Sequence, residues 1–123
     1  MKVRLGDIAY ARSGDKGAGG NIGVIARSAS VYQLLRDALS AEVVAEFFAP
    51  LHPGTVRRYE LPNLGALNFT LPTVLAGGGS LSLRIDAQGK ALGQALLELV
   101  LEIPDDRGRL LETAGPDPEN ADV

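Results

Sequence analysis

At 123 residues, 46% hydrophobic and 22% charged, the chain has material for one core and is too short for two domains. It has no cysteine, which excludes disulfides, thiolate chemistry, cysteine-ligated zinc and iron–sulfur clusters, and fits a reducing compartment. The net charge of −3 comes from the C-terminal end: residues 104–123 hold six acids against two arginines, while 1–103 hold ten basic and nine acidic residues with no basic stripe interleaved with aromatics, which argues against nucleic acid as a partner.

The first residues, Met1 to Asp7, contain no apolar stretch long enough for a signal peptide, and no apolar run approaches a membrane span. A cytoplasmic protein that does not engage a membrane is expected. Residues 5–13 read as a strand with Ile8 and Tyr10 on one face, and 21–27 as a second strand. Gly14 to Gly20 between them reads as a long, flexible hairpin loop rather than a two-residue turn.

Ser30 offers an N-cap, and Val31, Leu34, Leu35, Ala38 and Leu39 follow at helical spacing. Ser40 starts a second helical segment carrying Val43, Val44, Phe47 and Phe48, so helix is expected over 31–48, ended by Pro50 and Pro53. Residues 55–61 read as a strand, with Val56 on one face and Tyr59 and Leu61 on the other. In 62–79, Leu67, Leu71 and Leu75 are four apart, which fits a short helix that Pro72 interrupts. Leu81, Leu83 and Ile85 alternate with Ser82, Arg84 and Asp86, predicting a strand over 81–86. A helix capped by Asp86 is expected over 88–96, followed by a last strand over 98–103. Beyond Pro104 the polar, acidic chain with Pro116 and Pro118 reads as a mobile tail, leaving 1–103 as the domain.

Set aside the first strand and the insert, and the order is β-α-β-β-α-β. The expected fold is therefore α+β and ferredoxin-like: an antiparallel sheet with helices on one face, plus an extra N-terminal strand.

Chemistry-bearing residues fall in three groups. Ser13 to Asn21 combines glycines, whose N–H groups converge readily on an anion, with Asp15 and Lys16. No Gly-Lys-Ser/Thr follows, and Gly17, Gly19 and Gly23 are one residue too widely spaced for the dinucleotide fingerprint. The alternative is a hairpin loop whose glycines supply positive φ. Asn63 and Asn68 are neutral amides suited to reading a ligand, or else to turns and nearby backbone. Arg84, Asp86 and Lys90 offer either an anion contact or a solvated ion pair. His52, the one histidine, lies between prolines and reads as a surface residue. No metal site, cofactor site or catalytic pair of carboxylates is recognisable.

Three segments together resemble the AtuA-like ferredoxin-fold domain: Ile8 to Gly17 with Asn21-Ile22-Gly23, Tyr59 to Asn63 with Ala66 to Phe69, and Ser82 to Lys90. The resemblance spans about residues 5–101. It implies a ferredoxin-like topology without an iron–sulfur cluster. In larger members this domain follows a longer one implicated in acyclic terpene utilisation, so the chain resembles a stand-alone small subunit.

The leading expectation is an accessory, non-catalytic subunit of an AtuA-like large protein in catabolism of acyclic terpenoid or branched acyl compounds. One alternative is a small enzyme or binding module for an acyl-CoA or other anionic small molecule; another is a structural oligomerisation domain. The candidate ligand-binding set is Arg12, Ser13, Asp15, Lys16, Asn21, Asn63, Asn68 and Arg84. A homo-oligomer is expected when the large partner is absent, because an antiparallel sheet of this kind leaves a face and edges open.

Overall fold

Alternation of apolar and polar side chains along four consecutive runs builds the main sheet. The computed structural model describes residues 1–74 and 90–108. After a short strand β1 (Lys2–Arg4), Leu5–Asp7 form a 3-10 turn that buries Leu5 completely. This turn takes the first part of the strand expected over 5–13. It also breaks the alternation, so that Ile8 is buried while Tyr10 is 55% exposed, and the two do not share a face.

Strand β2 (Ala9–Lys16) pairs with β3 (Gly19–Ala26) in an antiparallel ladder that runs to Lys16↔Gly19. The long loop expected over 14–20 is thus a tight hairpin with Gly17 and Ala18 at its tip. Gly17 has φ +63° and Ala18 is not left-handed, the pattern of a type II′ turn, whose twist matches that of the strands it joins. Glycine-rich composition concealed the strands because glycine supplies no alternating side chain to read.

Helix α1 (Ala29–Ala38) is capped by Ser28, whose Oγ accepts from the Val31 N–H at 3.2 Å; the expected cap, Ser30, lies inside the first turn. α1 buries Val31, Tyr32, Leu34 and Leu35. The chain breaks at Leu39, and Ser40 caps α2 (Ala41–Phe47) through the Val43 N–H at 3.1 Å, as its sequence position predicts. Strand β4 (Arg57–Leu61) follows. Its Arg58 turns inward, and the guanidinium donates to the carbonyls of Arg36 at 2.8 Å and Leu39 at 3.0 Å, satisfying the exposed C-terminal end of α1.

After a 3-10 turn at Pro62–Leu64 and Gly65 at φ +59°, Ala66–Leu71 form strand β5, where a short helix had been expected. Leu67 and Leu71 are four apart, a spacing that places residues on one side of either a helix or a strand. Phe69 decides: Leu67, Phe69 and Leu71 are all fully buried with Asn68 and Thr70 between them, which is period two. The strand expected over 81–86 lies outside the described residues, as does Asp86. Helix α3 (Lys90–Leu96) and strand β6 (Val100–Glu102) agree with the last two elements expected. The remainder of the expected tail begins, after a helical turn at residues 105–108, outside the described residues.

Among the described elements the order β3, α1 and α2, β4, β5, α3, β6 is βαββαβ, with 66–71 as its third strand. The fold is α+β and ferredoxin-like. The sheet order is β2-β3-β5-β4, all antiparallel. β3, β5 and β4 thus form a split βαβ, and the N-terminal hairpin strand β2 flanks β3. β6 instead pairs with β1 in a separate two-stranded ladder. Helices pack on one face of the main sheet, where Ile22, Val24, Leu67, Phe69 and Leu71 meet Leu34, Leu35, Leu39, Leu92 and Leu96. At the β1–β6 corner the Met1 amino group donates to the Ile103 carbonyl at 2.8 Å and to Asp105 Oδ1 at 2.9 Å.

Candidate functional site: the outer sheet face

The ladders sort the strand side chains into two sets. Ala11, Val24 and Leu67 lie in one inward row, and Ser13, Ile22 and Phe69 in the next. The outward rows read Tyr10–Ile25–Ala66–Leu61, then Arg12–Gly23–Asn68–Tyr59, then Gly14–Asn21–Thr70–Arg57. The outer face is therefore graded. It is apolar and aromatic at one end and polar with an arginine on either edge strand at the other. None of these twelve positions is acidic. Arg27, beyond the apolar row, lies over the Tyr10 ring at 4.5 Å and donates to the Gly6 carbonyl at 3.3 Å.

Arg12, Gly14, Asn21, Gly23 and Asn68, with the backbone of Ser13, surround an open hollow of about 330 Å³ in the middle of this face. Two absent side chains make it. A Cβ on Gly14 would come 3.5 Å from Asn21 Oδ1, and one on Gly23 would meet nothing closer than 3.9 Å. Neither glycine has positive φ. Gly19 and Gly20 differ: a Cβ there would be 2.9 Å from the Pro72 carbonyl oxygen and 2.6 Å from Leu92 Cδ1, so packing demands glycine at both.

Of the residues expected to bind a ligand, Arg12, Asn21 and Asn68 come together here, and none makes a side-chain hydrogen bond or ion pair among the described residues. Ser13 turns to the helix face, where its Oγ accepts from the Gly93 N–H at 2.8 Å. Asp15 stands opposite Gly20 in the inward parity, near the hairpin tip, and is exposed. Lys16 pairs with Gly19, and its side chain lies outside the description. Asn63 is exposed in the turn Pro62–Leu64 and lines a second hollow with Glu60, Leu61 and Leu64. Arg84 is outside the described residues. The glycines expected to aim loop N–H groups at an anion are ladder residues except Gly17, so the polar groups of this hollow are side chains, not a backbone nest.

Tyr10, Tyr59 and Arg57 belong to the same face and are not among the candidate ligand residues of the sequence; the two tyrosines are placed on strand faces there, but that these faces form one surface is readable only once the register is known. Among the described residues no group of three or more His, Cys, Asp or Glu side chains is placed to hold a metal, and no helix is long and apolar enough to cross a membrane. His52 is exposed, in a left-handed conformation, and its carbonyl accepts from Thr73 Oγ1 at 2.8 Å.

Residues 3–102 match the family described as the AtuA ferredoxin-like domain. The chain belongs to that family. No curated protein and no solved structure matches it. In this AtuA ferredoxin-like domain the first two segments that carried the resemblance fall on β2 with the first half of β3, and on β4 with β5. They are neighbours in one sheet, and the hollow lies where they meet.

Proposed function

We propose that this AtuA ferredoxin-like domain is an accessory, non-catalytic partner of an AtuA-like large protein, working in the cytoplasm in the breakdown of acyclic terpenoid or branched acyl compounds. The observation that carries the reading is the outer sheet face. Tyr10, Tyr59, Leu61 and Leu64 are large, apolar and exposed, Leu64 by 69%, and arginines flank them. Tyrosine and arginine in such surroundings are the residue types that concentrate binding energy at protein interfaces. Family membership supports the choice of partner, since larger members carry this domain joined to the large one.

On its own the domain is proposed to form a homo-oligomer that covers part of this surface and the edge strand β4. The test is co-expression with an AtuA-like large protein, followed by size-exclusion chromatography with light scattering. Co-elution is expected for the natural sequence and its loss for Tyr59→Asp combined with Leu64→Asp, with the melting temperature unchanged because both side chains are solvent-exposed. A monomer at tens of micromolar and no co-elution would refute the reading.

A further inference from the structure

Glycine inside a strand weakens it by roughly 0.5–1 kcal/mol relative to alanine and is retained where a bulge, a close approach or a ligand requires it. Gly19 and Gly20 meet that requirement by packing, and Gly17 by its turn. Gly14 and Gly23 meet neither. Their φ values are not left-handed and a Cβ at either would make only ordinary contacts, so the fold itself does not call for glycine there. What the two glycines do is open the hollow between Arg12, Asn21 and Asn68.

The groups around that opening define a chemistry. Arg4, Arg58 and Arg107 each have an acidic partner; Arg12, like Arg27, Arg36 and Arg57, has none among the described residues, and no outward position of the four main-sheet strands supplies one. Arg12 and Asn68 flank Gly23 on either side in one row, with Asn21 diagonal to both. A planar guanidinium fork with two side-chain amides matches a carboxylate, which accepts at two oxygens. The adjoining row, Tyr10, Ile25, Ala66 and Leu61, is apolar.

We propose that the hollow over Gly14 and Gly23 binds an aliphatic carboxylate, with the carboxylate held by Arg12, Asn21 and Asn68 and the hydrocarbon lying along the exposed Tyr10 and the half-buried Ile25. The site shares its apolar row with the interface proposed above, but binding there does not require the large protein. Because the hollow is open, affinity for a short acid is low and is best read residue by residue.

Octanoate is titrated into the 15N-labelled full chain, with octanamide, acetate and inorganic phosphate as comparison probes. Octanoate is expected to produce saturable shifts within about 10 mM at the backbone amides of Gly14, Asn21 and Gly23 and the side-chain amides of Asn21 and Asn68. Octanamide and acetate are each expected to bind roughly tenfold more weakly, lacking the charge and the tail respectively. Arg12→Gln is expected to lose binding by roughly tenfold with spectral dispersion intact. Gly23→Ala, which sets a methyl on the floor of the hollow between Arg12 and Asn68 and retains every polar group, is expected to weaken binding while unfolding at a higher temperature. Unchanged octanoate binding in Gly23→Ala overturns the proposal, as does phosphate binding as tightly as octanoate. Shifts that never saturate, or that fall elsewhere on the surface, likewise overturn it and leave this face to a protein partner.

Discussion

The Ser13 hydroxyl accepts a 2.8 Å hydrogen bond from the backbone N–H of Gly93, tying edge strand β2 to helix α3. A Cβ on Gly93 would stand 3.0 Å from Ser13 Oγ and 3.4 Å from Ala11 Cβ. Alanine raises helix propensity by about 0.8–1 kcal/mol, but crowding a close-packed contact costs about 1–3 kcal/mol and the hydrogen bond is weakened as well. Gly93→Ala is therefore expected to destabilise despite the better helix former. Ser13→Ala is expected to lose about 1 kcal/mol. The double variant is expected to lose less than the sum, because removing the hydroxyl relieves the crowding; a double-mutant cycle in urea reads the coupling.

Two kinds of strand glycine give opposite signs of response. Gly20→Ala drives a methyl to 2.6 Å from Leu92 Cδ1 and 3.3 Å from Val74 Cγ1, and a loss of about 1–3 kcal/mol is expected. Gly14→Ala meets only Asn21 Oδ1 at 3.5 Å and is expected to gain up to about 0.5–1 kcal/mol. Urea midpoints of the two variants, compared at equal m-value, check the contrast.

Arg58 holds the C-terminal carbonyls of α1 from a strand far along the chain. Arg58→Met retains most of the apolar stem and removes the donors. The expected loss is about 1.5–3 kcal/mol, the usual range for hydrogen bonds from a charged group, and hydrogen exchange in the last turn of α1 is expected to accelerate more than in α2.

The Met1 amino group and Asp105 shift each other. Hydrogen bonding to Asp105 raises the amine above its usual 8.0, and the same bond lowers Asp105 below its usual 3.8. The raised amine contributes stability that is fully present below its unfolded value and is lost as pH rises through its folded value. The lowered carboxyl contributes stability present above its unfolded value and lost as pH falls through its folded one. Asp105→Asn in the chain beginning at Met1 is expected to shrink both dependences. Melting curves from pH 3 to 10 for the two proteins, subtracted from each other, isolate the effect.

How much the sequence disclosed depended on which side chains were present to mark a period. β3, both N-terminal helices and β6 were legible because their apolar residues fall at one spacing only, whereas β4, which buries none of its residues, was marked by Tyr59 and Leu61 alternating with charged neighbours. Leu67 and Leu71 suit two, and Phe69 had to be weighed with them to recover β5. The β2–β3 hairpin was hidden by glycines, which leave no alternation to see. In the site, Arg12, Asn21 and Asn68 stood out by type, yet their meeting rests on the register of two ladders, which composition does not encode. Ser13 was read as a ligand residue, while its bond to Gly93 spans 80 positions and has no local signature.

Because β6 pairs with β1 instead of joining the main sheet, the chain enters and leaves the described domain at one corner, with Lys2 opposite Glu102. A host protein could therefore accept residues 2–102 within a single surface loop without separating the loop's two ends. By the same geometry, joining that corner with a short linker and reopening the chain at the Gly17–Ala18 tip would yield a permuted domain with every ladder of the main sheet preserved.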